Sequence, residues 1–338
     1  MKYTNLHDLP DSLVRAVTAG QVLYEKEADV SSTELVAPIQ QVQLRWRHDE
    51  LIQTDILESV WALLGSAVHS ILERASLPRQ QLALYGIMDS LVREILDGDG
   101  NESGIQDVIN RIYPILRDLQ DNPPEDIVER RQFYFDCLGW TVSCKPDYIS
   151  SGILDDYKIT KAWAVVAGAK PEWCRQLDIN AFIAQINGVE VNQARIIAIL
   201  KDWAALNTKK HRDYPDKPIQ ILQVYLSPEE MVRSSIGFKV RQHQRALDQP
   251  DDKLPPCTPD ERWHRPDKWC LHKIQKNGQP AAKAWRCYDT EQEALKQRDS
   301  MQKGYDVQFR SGANVRCESY CPVKSFCCQY KRESLNLR

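Results

Sequence analysis

Three side chains suited to metal-assisted chemistry fall in one short stretch, KPDYISSGILDDYKI: Asp147, Asp156 and Lys158. Ser151-Gly152 reads as the two-residue turn of a β-hairpin. Counting outward from that turn pairs Ser150 with Ile153 and brings Asp147 opposite Asp156. Directly opposed residues have Cβ atoms roughly 4.5–5.5 Å apart, and like charges at that separation repel, so a cation is expected between them. Lys158 lies two residues beyond Asp156 and hence on the same strand face, whereas Asp155 and Tyr157 point the other way. Two converging carboxylates also make a hard-oxygen site for Mg²⁺. The same spacing suits a solvated surface hairpin whose lysine pairs with one acid. The apolar Ile153, Leu154 and Ile159 favour a strand inside a sheet.

The elements that must position these residues can be read from periodicity. Residues 55–76 place Ile56, Val60, Leu63, Leu64, Val68, Ile71 and Leu72 at helical spacing, and helices are also expected over 80–96 and 105–119. After Pro123-Pro124 the pattern changes to strands over 127–138, 140–149 and 153–160, expected to form a three-stranded meander. A helix over 172–186, strands over 194–200 and 219–225 and a helix over 228–247 complete an α/β fold with a mixed central sheet flanked by helices. The Pro-rich stretch DQPDDKLPPCTPDE marks a boundary, giving a core domain over 1–250 and a small α+β C-terminal module over 251–338. In that module, strands over 269–274, 282–288 and 305–309 surround a helix over 291–302.

A chain of 338 residues with 42% hydrophobic content can bury a substantial core. No stretch approaches the roughly 20 uncharged apolar residues of a membrane span, and the N-terminus has no secretory apolar run, so no membrane association and a cytoplasmic location are expected. The net charge of −3 excludes a sequence-wide basic coat. The distribution is uneven: from residue 261 onward there are 16 Lys+Arg against 9 Asp+Glu, net +7, which leaves −10 for the first 260 residues. Acidic metal ligands in one region and phosphate-binding cations in another are compatible with that segregation.

Ten cysteines in a cytoplasmic chain are expected as free thiols or metal ligands rather than disulfides. Cys317, Cys321, Cys327 and Cys328 crowd together near the C-terminus, and Cys317-x3-Cys321-x5-Cys327 is close spacing for thiolate ligands. Four thiolates bind Zn²⁺ or an iron–sulfur cluster, and ligand type alone does not choose.

Pro146-Asp147 followed by an apolar stretch and Asp156-Tyr157-Lys158 resembles the PD-(D/E)XK nuclease superfamily. Two further motifs are similar to its RecB-like branch, which includes lambda-type exonucleases. One is the helical Gly65-Ser66-Ala67-Val68-His69, followed by Ile71-Leu72-Glu73; the other is Gln176 in EWCRQLDINAF. The phrase WALLGSAVHSILER looks like phage-encoded members. The resemblance covers about residues 35–247, with four motifs in the correct order. Where the family often has tyrosine four residues after the glutamine, this chain has Asn180.

The resemblance implies a restriction-endonuclease-like core and a Mg²⁺- or Mn²⁺-dependent deoxyribonuclease. His69, Asp147, Asp156 and the backbone carbonyl of Tyr157 would surround the metal, with Lys158 and Gln176 completing the catalytic set. Glu73, one helical turn after His69, could hold a second ion or water. The implied role is an exonuclease acting at DNA ends in recombination or repair, with DNA as substrate and a single-strand annealing or other recombination protein as partner. The alternatives are an endonuclease, an RNA-directed nuclease, or a nucleic-acid-binding or assembly protein with a catalytically silent nuclease fold. Relatives often carry a C-terminal cysteine group binding a [4Fe-4S] cluster. On that pattern Cys317, Cys321 and Cys327 are ligands, with Cys257 as the fourth and Cys328 as its competitor, and Zn²⁺ as the alternative metal.

Overall fold

A computed structural model describes residues 2–19, 28–76, 110, 113–114, 117, 127–129, 132–301 and 304–336. The chain opens with β1 (Lys2–Thr4), α1 (Asp11–Ala19), β2 (Val30–Ser31), α2 (Ser32–Val36), α3 (Ile39–His48), β3 (Gln53–Asp55) and α4 (Ile56–Ser76). Strands β4 (Ile127–Glu129), β5 (Phe133–Cys137), β6 (Trp140–Cys144), β7 (Tyr148–Ser150) and β8 (Ile153–Thr160) follow. Next come α5 (Pro171–Ile186), β9 (Gln193–Leu200), α6 (Ala205–Lys210), β10 (Ile219–Val224) and α7 (Glu229–Leu247). The remainder comprises β11 (His264–Arg265), β12 (Lys268–Lys273), β13 (Arg286–Tyr288), α8 (Glu291–Ser300), β14 (Tyr305–Arg310), β15 (Ala313–Asn314), α9 (Val315–Ser319) and α10 (Cys328–Asn336). The helices expected over 80–96 and 105–119 lie outside the described residues, apart from isolated positions of the second.

Two compact units divide the chain. One comprises residues 3–36 and 55–241; the other joins 1–2 and 37–54 to 242–338. In the sequence the stretch 37–54 had been grouped with the core domain.

The larger unit is α/β. Its five-stranded sheet has the order β10-β9-β8-β7-β4, with β8 and β9 parallel and the other pairs antiparallel, so the sheet is mixed. A second sheet has the order β2-β6-β5. The expected three-stranded meander is formed but split: 127–138 pairs antiparallel with 140–150 in one register, as β5 with β6 and β4 with β7, and β7 pairs with β8, while a break at 145–147 places β5 and β6 in the second sheet. Lys145-Pro146-Asp147 separates β6 from β7, and Pro146, lacking an N–H, cannot continue a ladder.

β9 alternates with period two, burying Ala194, Ile196, Ala198 and Leu200. α5 begins with Pro171 at its first turn and places Leu177, Ile179, Ala181, Phe182, Ile183 and Ala184 in the core. Each fully buried Leu, Ile or Phe side chain contributes roughly 1.5–3 kcal/mol. The helix ends where Gly188 takes φ +84°, the Gly188 N–H bonding to Gln185 O and the Val189 N–H to Ala184 O, a Schellman cap that satisfies two terminal carbonyls. On α4, Ile56 is buried but Leu64 and Ile71, expected on the core face, are exposed beside Leu57 and Trp61.

The second unit has its own core of Ile39, Leu44, Ile52, Ala246, Leu254, Val323 and Cys327. It carries an antiparallel sheet, β13-β12-β14. Cys270 and Cys287 stand in register on β12 and β13 and are disulfide-bonded, which corrects the expectation of free thiols for these two residues. No helix among the described residues is long and apolar enough to cross a membrane.

Candidate functional site

The hairpin β7–β8 turns at Ser151 and Gly152, both with positive φ (49° and 72°), as a type I′ turn requires. Its register pairs Ser150 with Ile153, Ile149 with Leu154 and Tyr148 with Asp155. Asp147 lies one residue before the strand, at the end of this ladder. Its Oδ2 accepts the backbone N–H of Tyr157 at 2.9 Å. Its Oδ1 lies 3.3 Å from Nδ1 of His69 on α4, and the His69 ring meets Tyr157 edge-on at 6.1 Å between centroids.

Asp156, only 4% exposed, lies in the middle of β8. Its Oδ2 is 2.6 Å from Lys158 Nζ, a charge contact without the orientation of a hydrogen bond, and that buried oxygen has no other partner. Lys158 Nζ instead donates to Gln176 Oε1 on α5 at 3.2 Å. Gln176 Nε2 reaches Thr33 Oγ1 at 3.5 Å, a weak contact at the limit of hydrogen bonding. Thus Asp147, Asp156, Lys158, Gln176 and His69, drawn from α4, the hairpin and α5, are gathered in one place. Asn180, one turn after Gln176 on α5, is 2% exposed, with Oδ1 unpartnered. The Glu73 side chain lies outside the described residues.

The electrostatics are those of a frustrated acid pair. Burial, followed by repulsion from Asp147, pushes the Asp156 carboxyl up to about 6 despite the opposing pull of Lys158. The hydrogen bond that the imidazole donates to Asp147 raises His69, with burial opposing. The neighbouring Asp155 is spared this conflict, because Arg195 lies directly across on β9 and binds it bidentately at 2.7 and 2.6 Å. Neither Thr33 nor the Asp155–Arg195 pair was singled out in the sequence; the second could have been found only from the β8–β9 register.

Two carboxylates, one imidazole and a carbonyl are donor types that suit a hard divalent cation, and the buried Asp156 Oδ2 meets only the Lys158 ammonium. As the side chains stand, Asp156 faces Lys158 and Asp147 faces the Tyr157 amide. Among the described residues no three His, Cys, Asp or Glu converge closely enough to hold a single metal ion.

In the other unit Cys257, Cys317, Cys321 and Cys327 line one small cavity of about 20 Å³, which Cys328 does not reach. Gln40 Oε1 accepts from Cys257 Sγ at 3.6 Å and from Cys327 Sγ at 3.5 Å. Burial and mutual proximity push Cys257 up to about 12 and Cys317 up to about 11, and burial raises Cys321.

No family model and no curated protein matches the sequence. Among solved structures, SSO0001 aligns over 71% of this chain and 87% of its own at 12% identity, with a TM-score of 0.40. A protein from Eubacterium rectale, provisionally named an exonuclease, aligns over 51% of this chain and 69% of its own at 13% identity, with a TM-score of 0.27. Likenesses this distant carry no argument about function.

Proposed function

We propose that this chain is a metal-dependent deoxyribonuclease, acting as an exonuclease at DNA ends in recombination or repair. One observation carries the reading: a buried carboxylate, Asp156, lies against Lys158 while Gln176 holds that lysine and His69 holds Asp147. Surface charges do not need such support, and burying an acid beside another acid costs stability unless a cation is destined for the site.

Asp147, Asp156, the Tyr157 carbonyl and a neutral His69 would hold Mg²⁺ or Mn²⁺. The ion when bound polarises the scissile phosphate and acidifies water. Lys158 places a positive charge where negative charge develops on the phosphate, and Gln176 fixes the direction of its ammonium. Asp147 aims the imidazole through Nδ1, and β8 holds Asp156 on a strand while Asp147, one residue before β7, is tied to the Tyr157 amide.

Cys257, Cys317, Cys321 and Cys327 are proposed as ligands of one metal centre, a [4Fe-4S] cluster with Zn²⁺ as the alternative. The raised thiols of Cys257, Cys317 and Cys321 are protonated at neutral pH, and metal binding would release those protons. A cluster binds each thiolate at a different iron, so its ligands need not converge on one point, in keeping with four thiols around one cavity.

The test is incubation of the purified chain with blunt linear duplex, nicked circular DNA and RNA, with Mg²⁺ and with chelator. End-dependent, metal-dependent loss of linear duplex is expected; undiminished cutting in chelator, or no cutting of any substrate, would refute it.

A further inference from the structure

Two exposed tryptophans lie just beyond the carboxylate hairpin on the same unit. Trp61 on α4 is 62% exposed and Trp163, after β8, is 54% exposed. They are tied to one short piece of backbone. The Lys201 N–H bonds to Thr160 O, the last residue of β8, and the Lys201 ammonium sits 3.7 Å from the centre of the Trp61 ring. The Ala162 N–H bonds to Asp202 Oδ1 at 2.7 Å, which fixes the turn carrying Trp163. The Trp163 ring is braced edge-on by His211 at 5.3 Å and Tyr214 at 5.5 Å. Tyr214, itself buried, donates to the Asp202 carbonyl at 3.3 Å.

A large ring held in place by neighbours yet left half open to water keeps one face free for a flat apolar group. Trp61 shares its helix face with exposed Leu57 and Leu64, but it alone carries an ammonium over its ring. Exposed cations lie on the same segments of chain: Lys161, Lys201, Lys209, Lys210 and Arg212, the last two flanking the His211 that meets Trp163. Among the described residues none of these five forms an ion pair. The nearby acids are Asp202, occupied by the Ala162 amide, together with Asp213 and Asp216.

Aromatic faces interleaved with cations match one chemistry closely. Bases stack on the rings without regard to sequence, and phosphates meet the lysines. A base inside a duplex has no free face to offer, so the occupant must be unpaired. The position agrees: Lys161 is three residues from Lys158 along the β8 direction, about 10 Å at strand rise, so a strand leaving the carboxylates would reach the rings within a few nucleotides.

We propose that Trp61 and Trp163, with Lys201 and the α6 lysines, form a stacking platform for single-stranded DNA that guides the unpaired strand at the cleavage site. This rests on the nuclease reading for its place in the reaction but not for the binding itself.

The test is fluorescence anisotropy of a labelled oligothymidine strand with the full chain in Ca²⁺, alongside a blunt duplex of equal length. Trp61→Ala and Trp163→Ala should each weaken single-strand binding by about 5- to 100-fold, the range of one lost base–aromatic stack. Trp163→Phe should restore most of it, and duplex affinity should change less than twofold. Lys209→Ala with Lys210→Ala should flatten the slope of log affinity against log salt for single-strand binding by about 1.4, roughly 0.7 for each lost phosphate contact. Single-strand affinity unchanged in both alanine variants, or an equal loss in Trp163→Phe, overturns the platform. Cleavage by Asp156→Ala, assayed in parallel with Mg²⁺, fails or upholds the nuclease reading separately, because the anisotropy measurement needs no turnover.

Discussion

Lys158 Nζ lies 2.6 Å from Asp156 Oδ2 and 3.2 Å from Gln176 Oε1, so the lysine is shared between a buried acid on its own strand and an amide on α5. This arrangement makes Gln176 a positioning residue. Gln176→Ala should slow cleavage by about 10- to 100-fold, the worth of one hydrogen bond to a charged group. The loss should fall in single-turnover rate rather than DNA affinity. Wild-type rates would mean that Lys158 needs no such support.

Asp156 also ties stability to pH. Its folded pKa, about 6, lies above the unfolded value near 3.8, so its contribution is fully present below 3.8 and is lost as pH rises through 6. The ionised acid therefore burdens the metal-free chain at neutral pH. Asp156→Asn should raise the metal-free melting temperature by roughly 2–6 °C at pH 8, with the gain shrinking toward pH 4. Lys158, half-exposed and still bonded to Gln176, tolerates the loss of its partner's charge. A variant that melts lower than wild type at pH 8 would show that the ion pair outweighs desolvation.

The hairpin that sets the geometry depends on one glycine. A Cβ on Gly152 would sit 3.0 Å from Asn192 Nδ2 on a backbone with φ +72°. Gly152→Ala should cost about 1 kcal/mol or more and lower cleavage with it, read by denaturant melts and rate together. Unchanged stability would remove the turn from the account.

Much of the site was legible in the sequence because the turn chemistry of Ser151-Gly152 fixes a hairpin register without reference to anything distant, and the observed pairs follow it. Asp147 and Asp156 are nevertheless not a ladder pair, since pairing stops at Tyr148 and Asp155 and frees Asp147 to meet the Tyr157 amide. The meander pairings were legible too, since each strand pairs with its neighbour across a short turn; the addition of β2 to β6 from far upstream was not, because a local strand signal does not name a distant partner. The Cys270–Cys287 bond was hidden for the same reason, being a product of the β12–β13 register overriding a compartment-based expectation.

The four thiols give a prediction independent of cleavage. Anaerobically purified protein should be brown and contain iron and sulfide, or be colourless with about one zinc if the alternative holds. Cys321→Ser should lose that metal and lower the melting temperature of the unit containing residues 242–338 before it affects the hairpin chemistry. Freshly prepared active protein holding neither element would leave these cysteines as ordinary thiols.

The central claim is that the hairpin carboxylates and lysine perform metal-dependent phosphodiester cleavage. The most direct measurement is release of label from an end-labelled duplex by wild type, Asp156→Ala and Lys158→Ala in Mg²⁺, with DNA affinity measured beside it in Ca²⁺. The account predicts metal-dependent release by wild type and at least a ~100-fold loss in each variant, with affinity held within a few fold. Release by either variant at the wild-type rate would contradict it.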